Sequence, residues 1–129
     1  GEEYTALVEE EILRLLAPDY IRGLSVLGGE PMEPQNREAV LGLLRKVRQR
    51  YPQKDIWCYT GYDYEKDILS WAQQQEAVRE LLSLIDVLVD GEFVEERKNL
   101  RLAFRGSENQ RLIDVKESGR QKKTVCLSI

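Results

Sequence analysis

Apolar residues recur at helical spacing near the start of the chain. Leu7, Val8, Ile12, Leu15 and Leu16 share one side of the segment from Tyr4 to Leu16, and Glu2, Glu3, Glu9, Glu10 and Glu11 fill the early and outer positions. This pattern predicts an amphipathic helix with acids toward its electropositive N-terminal end, stopped by Pro18-Asp19. The run Gly23 to Leu27 breaks at Gly28-Gly29 and predicts a buried strand followed by a tight loop. After Pro34, residues Val40, Leu43, Leu44, Val47 and Tyr51 line one face of a second helix that Pro52 closes. The basic residues from Arg45 to Arg50 are expected on its solvated outer face.

Ile56-Trp57-Cys58-Tyr59-Thr60 has the aromatic and β-branched content of a strand and ends at Gly61. Asp63 is a natural N-cap for a third helical stretch with Tyr64, Ile68 and Trp71 facing inward. Gln73 to Gln75 form a polar break before Val78, Leu81 and Leu82. Ile85 to Asp90 is a third strand, ending at Gly91. Helices between strands that each end in glycine predict repeated βα units, hence an α/β fold with a mostly parallel sheet and right-handed crossovers. The last third reads differently. Leu102-Ala103-Phe104 and Leu112 to Val115 are short strand candidates around a polar connection, Lys116 to Lys123 is a polar turn, and Thr124 to Ile129 is a candidate edge strand. Without repeats or linkers, residues 1–129 read as one domain, with 116–129 as an extension.

Composition narrows the chemistry. With 42% hydrophobic residues in 129, a core forms without disulfides or structural metal. There is no histidine, which removes His-based nucleophilic triads, the usual zinc sites and imidazole switches. Cys58 and Cys126 are too few for a disulfide framework and too distant for a CxxC clip, which suits a reducing, cytoplasmic setting. A net charge of −4 gives no general attraction to nucleic acid, and no apolar run is long enough to span a membrane. The chain starts with Gly rather than Met and reads as a piece of a longer protein.

In parallel α/β folds ligands sit at the carboxyl ends of the strands, here Gly28-Gly29-Glu30-Pro31, Thr60-Gly61-Tyr62 and Asp90-Gly91-Glu92. The first exit combines two glycines that admit close backbone approach, a proline that fixes direction and a carboxylate that accepts from a cation. It suits an ammonium group and suits phosphate poorly, since neither GxGxxG nor GxxxxGK[ST] is present. An ordinary turn with Glu30 near a helix N-terminus fits the same residues. Thr60 and Gly61 fit either a cofactor cavity or plain turn chemistry. Asp90 fits a ribose hydroxyl, a cation or a cap. Arg105, Asn109 and Arg111 fit a cofactor-facing, partner-facing or merely solvated loop. Trp57, Trp71 and Phe104 read as core rather than a stacking platform, and Cys58 as a buried inert thiol.

Gly28-Gly29-Glu30-Pro31 resembles the loop that ends the second strand of S-adenosylmethionine radical enzymes. Together with Trp57 to Tyr62, Ile85 to Gly91 and Arg105 to Val115, it resembles more narrowly the glycyl-radical activases of anaerobic ribonucleotide reductases, from about Glu2 to Val115. The resemblance implies an incomplete (βα) barrel and an enzyme that cleaves S-adenosylmethionine reductively. The resulting 5′-deoxyadenosyl radical then takes hydrogen from a glycine of the large reductase subunit. It implies a four-iron four-sulfur cluster, a flavodoxin-type electron donor, and Gly28, Gly29, Glu30 and Pro31 as the amino-group site, with Thr60, Gly61 and Asp90 beside it. The family's CxxxCxxC motif is absent from these residues, so the chain alone is expected to be inactive, its first strand and cluster loop lying upstream. The strand Gly23 to Leu27 would then be a sheet edge open to a second copy. The alternative is a non-catalytic interaction domain with the same sheet and no cluster.

Overall fold

The computed structural model describes residues 6–27 and 30–128. The chain alternates helix and strand: α1 (Ala6–Leu15), β1 (Gly23–Val26), α2 (Pro34–Arg50), β2 (Asp55–Tyr59), a π-helical turn (Tyr64–Ile68) leading into α3 (Leu69–Ala72), α4 (Glu76–Leu84) and β3 (Val87–Asp90). A 3-10 turn (Glu95–Arg97), β4 (Arg111–Asp114) and α5 (Val115–Gln121) follow. Pro34 opens α2, where its missing N–H costs nothing. Asp63 caps the π-helical turn by accepting from the Lys66 N–H at 2.7 Å.

The sheet has four strands in the order β1-β2-β3-β4. The first three are parallel and β4 is antiparallel to β3. Period-two alternation divides the strand residues between two unlike faces. Ile56, Cys58, Leu88 and Ile113 join Leu13, Leu44, Val47, Ile68, Val78 and Leu81 in the main core against the helices. Trp57, Tyr59, Val87, Val89, Leu112 and Leu127 form a separate cluster on the opposite face. Right-handed crossovers that always step in one direction place their helices on one side, as this division reflects. Over the other face lies the loop that carries Phe104, whose ring meets Trp57 at 5.2 Å between centroids. Between them is a cavity of about 330 Å³ bounded by Gly23, Ser25, Trp57, Tyr59 and Phe104.

Several expectations need correction. Leu102-Ala103-Phe104 is a turn, because the Asn99 side chain accepts from the Arg101 N–H at 2.9 Å, its carbonyl accepts from the Leu102 N–H, and Phe104 has φ +64°. Phe104 is 58% exposed and is not core. The polar stretch after Lys116 is helical: Asp114 caps α5 by accepting from the Glu117 N–H, and Lys122 ends it in the left-handed conformation. The tail makes a single antiparallel bridge, Ile113 to Cys126, instead of a strand. β1 lies at the sheet's edge as expected.

Arg48 is the largest departure on α2. It is not a solvated outer residue, since its guanidinium donates to the carbonyls of Lys54 and Leu84 and to the Asp86 carboxylate at 2.9 Å. Asp86 also accepts from the Ile56 N–H at 2.8 Å and pairs with Lys116. Burial works against its ionisation, yet Arg48, the Ile56 amide and Lys116 outweigh that and hold its carboxyl below the ordinary aspartate range. Helix α2, β2 and the entry to β3 are therefore joined through one half-buried cation. Arg48→Ala is expected to cost about 2 kcal/mol, lowering the melting midpoint by about 8 °C, because it strands partly buried acceptors. Arg120→Ala, which breaks only an exposed i,i+3 pair with Glu117, should leave the melting midpoint close to that of wild type. Thermal unfolding of both variants checks the contrast.

Candidate functional site

The three strand exits meet at the carboxyl edge of the sheet. Thr60 N–H donates to the Val89 carbonyl at 2.9 Å and Gly91 N–H to the Tyr62 carbonyl at 3.0 Å, which ties the second exit to the third. Glu30 ties the first to the second. One carboxylate oxygen accepts from the Gly61 N–H at 2.6 Å, and the other from the Thr60 hydroxyl at 2.7 Å and the Met32 N–H at 3.0 Å. A carboxylate offers about four lone-pair sites, so three bonds leave Glu30 capacity for one more donor. Glycine at 61 eases this approach, since a Cβ there would stand 3.3 Å from the Glu30 oxygen and push it back by a few tenths of an ångström. The convergence borders a shallow, open cavity of about 260 Å³ lined in part by Glu30, Pro31, Thr60, Gly61, Gly91 and Gln110. That is below the roughly 300–1,000 Å³ of sites that enclose a whole small molecule, so it matches one end of a ligand.

Glu30 is held under strain, with φ +36°, a region disfavoured for a residue with a Cβ. Its carbonyl is fixed by the Asn36 side-chain amide at 3.0 Å and by the Glu33 N–H at 3.1 Å. Arg37, only 6% exposed, donates to the Met32 carbonyl at 2.8 Å and to Gln75, and stacks 4.9 Å from the Trp71 ring centre. Tyr62 packs edge-on against Trp71 and donates to Glu33. The first turn of α2 thus immobilises the loop before any ligand arrives. Sequence reading missed Asn36, Arg37 and Glu33. The one available signal was their position just after the loop at a helix start.

The remaining candidates fall in different places. Gly28 and Gly29 lie outside the described residues. Pro31 and Gly61 line the cavity. Asp90 is 2% exposed and its carboxylate is taken by the Tyr64 N–H and by Arg111 at 3.0 and 2.5 Å, so it closes the floor of the sheet's edge. Arg111 also forks onto Glu65 at 2.9 and 2.7 Å, and Thr124 donates to the same carboxylate. Carboxylate oxygens of Asp63, Glu65 and Asp90 approach within 4.8 Å, but the Arg111 guanidinium already pairs with two of these groups. Asn109 donates to the Glu92 carbonyl at 2.7 Å and Gln110 to the Gly91 carbonyl at 3.0 Å, fixing the loop behind the cavity. Arg105 has a buried Nε with no acceptor among the described residues, and the Asn109 side-chain oxygen is likewise unpaired.

The Arg111 hydrogen bonds hold the Glu65 carboxyl at about 2, against an ordinary value near 4.5. A depressed folded-state pKa stabilises fully above the unfolded value, and the gain is lost as pH falls through the folded value. Glu65→Gln should therefore flatten the decline of the urea midpoint between about pH 4.5 and pH 2 relative to wild type, and leave its slope near neutrality unchanged. The effect is modest because Glu65 is 41% exposed and solvent screens the pair.

An iron–sulfur cluster is held by a set of cysteine thiolates, about four in the common types. The chain holds two cysteines. Cys58 is fully buried in β2, where burial and then the Glu30 charge push its thiol up to about 12, and Cys126 is exposed in the tail. These residues do not fit a cluster. The cavity at Glu30 does fit an ammonium-bearing end of a ligand, by its spare acceptor and close glycine backbone.

Comparison with known proteins adds an independent finding. A family model described as a 4Fe-4S single cluster domain matches residues 1–113. Over 112 residues, 85% of this chain, it is 43% identical to the anaerobic ribonucleoside-triphosphate reductase-activating protein of Vibrio cholerae and covers 68% of that relative. The corresponding protein of Escherichia coli K12 is 41% identical with the same coverage, and that of Enterobacteria phage T4 is 39% identical over 87% of this chain and 65% of its own length. The chain thus spans about two thirds of these relatives. No solved structure matches. No helix among the described residues is long and apolar enough to cross a membrane.

Proposed function

The chain belongs to the family of anaerobic ribonucleoside-triphosphate reductase-activating proteins, and from that premise we propose that it is the substrate-gripping part of an enzyme that activates an anaerobic ribonucleotide reductase. The reaction is generation of a glycyl radical on the large reductase subunit by reductive cleavage of S-adenosylmethionine. The observation that carries this reading is the tie that Glu30 makes between the first two strand exits, with a carboxylate that keeps room for one more donor beside a cavity sized for an amino-acid end. Glu30, with Thr60 and Gly61 as its braces and Pro31 lining the same cavity, receives the amino group of the methionyl moiety, and Gly28 and Gly29, which precede it in the sequence, belong to the same proposed site. Asp90 acts through Arg111 and Tyr64 to hold the rim.

Electron and radical chemistry belongs to the cofactors, and this chain's residues supply binding and orientation. The cluster's thiolates must come from outside these residues, so the chain by itself is inactive. Helices confined to one face and a parallel order that advances strand by strand support an incomplete (βα) barrel, with the Trp57 and Tyr59 face turned inward. Residues 1–129 form one unit of it. A flavodoxin-type donor in the cytoplasm supplies electrons. In residues 1–129 taken without the first strand, β1 offers its edge to a second copy, a pairing that a strictly monomeric elution of those residues would overturn.

The test is anaerobic reconstitution of the intact protein with iron and sulfide, followed by measurement of 5′-deoxyadenosine formed from S-adenosylmethionine under reduction. Formation by the intact protein and none by residues 1–129 is the expected result. No product from the intact protein would overturn the activase reading in favour of a non-catalytic interaction domain.

A further inference from the structure

The segment from Arg97 to Arg105 carries four cations, Arg97, Lys98, Arg101 and Arg105, and no acid, in a chain of net charge −4. Elsewhere Arg14, Arg45, Arg48, Arg50, Arg111 and Arg120 each pair with a carboxylate, and Arg37 and Arg79, which do not, are held by neutral acceptors of the fold. Among the described residues, Arg97 and Arg101 have no acidic partner, and Lys98 reaches only Glu95 at 3.8 Å. Acids Glu95 and Glu96 lie at the base of the segment, before its tip.

Large apolar side chains stand among these charges in the open. Leu100 is 88% exposed and Phe104 58%. Their display is rigid despite the exposure. Lys98 bridges Ser107, Asn99 N–H donates to the Gly106 carbonyl, and Glu108 N–H donates to the Arg97 carbonyl at 2.9 Å. The tip is fastened to the sheet by the Tyr59 hydroxyl donating to the Phe104 carbonyl at 2.7 Å, while Phe104 keeps φ +64°. Holding exposed apolar groups and unpaired cations in a strained, fixed turn lowers the ordering cost of binding, which is how association hot spots work.

We propose that residues 97–105 form the docking surface for the reductase, which presents to it an acidic segment bearing apolar side chains. The inference rests on the activase reading and adds the partner's contact chemistry to it. Uncompensated positive charge on an acidic chain selects an acidic partner surface and speeds its approach, while Leu100 and Phe104 supply the apolar contact. The surface adjoins the site. Gly106 N–H and Ser107 N–H donate to the Gln110 side chain, and Gln110 lines the Glu30 cavity.

The experiment uses the intact protein and the purified reductase, with affinity measured at low and raised salt. The double charge reversal Arg97→Glu with Arg101→Glu, and separately Leu100→Ser, should each weaken binding by about tenfold or more. Wild-type affinity should fall as salt rises, and S-adenosylmethionine cleavage without reductase should stay at the wild-type rate for both variants. These side chains are exposed and form no hydrogen bond or ion pair with a described residue, so melting midpoints should stay put. Unchanged affinity in both variants overturns the docking surface while leaving the activase reading intact. Binding to anionic lipid vesicles or oligonucleotide that the charge reversal abolishes, with reductase affinity unchanged, also overturns it. Wild-type protein that cleaves S-adenosylmethionine but never binds the reductase overturns both.

Discussion

Replacing Glu30 by glutamine in the intact protein is expected to weaken S-adenosylmethionine binding by roughly 10- to 150-fold, the loss of one charged hydrogen bond of about 1.5–3 kcal/mol. The amide keeps the side chain's volume and removes its charge. It also turns a donor toward neighbours that are themselves donors, since the Gly61 and Met32 N–H groups and the Thr60 hydroxyl all point at the carboxylate. Whichever way the amide rotates, a backbone N–H loses its acceptor, so a small fall in melting midpoint accompanies the loss of binding. Titration calorimetry with S-adenosylmethionine reads the first effect and thermal unfolding the second. Unaltered affinity would show that Glu30 is only a structural brace between two exits.

The largest effect on stability is expected at Gly23. A Cβ there would stand 2.0 Å from the Asp55 carbonyl oxygen and within 3.0 Å of two further backbone atoms of Asp55, so β1 and β2 cannot keep their register. Neither strand can step aside cheaply. Asp55 N–H donates to the Arg22 carbonyl at 2.9 Å, and the Lys54 ammonium holds the Pro18 and Ile21 carbonyls. Gly23→Ala should cost about 3 kcal/mol or more and lower the midpoint by at least about 12 °C. Gly42→Ala is the counterpart inside α2, where the added methyl meets only a Glu9 oxygen at 3.9 Å. That variant should gain about 0.4–1 kcal/mol from reduced unfolded-state freedom. Equal midpoints for the two variants would contradict the close approach.

Both predictions concern residues that the sequence made visible for different reasons. The alternation of apolar runs, glycines and helical periods gave the order α1 to β3, because each element buries a face whose period the chain displays. It also gave the three exits and Glu30 as an acceptor. What stayed hidden depends on contacts between distant segments. Arg48 and Arg37 look like any helix-surface arginine until Asp86, Met32, Gln75 and Trp71 are folded against them. Asp90 at a strand exit fitted a ribose hydroxyl, a cation or a cap alike, and only the antiparallel pairing of β3 with β4 brings up the Arg111 that fills it. Phe104 read as core because it fell on an inward position of an expected short strand. Its exposed, positive-φ position comes from a turn built on Asn99 that short apolar triplets do not reveal. Helix α5 contains Gly119 and looks like a turn until Asp114 is seen to cap it by accepting from the Glu117 N–H.

Glycyl radical formed on the reductase is the most direct measure of the account. The intact protein, reconstituted and reduced without oxygen, is mixed with the reductase and S-adenosylmethionine, and the radical is counted by electron paramagnetic resonance. A radical signal is expected with wild type and with Gly42→Ala, and a signal reduced at least about tenfold with Glu30→Gln at limiting S-adenosylmethionine. A full signal from Glu30→Gln, or none from wild type, would contradict it.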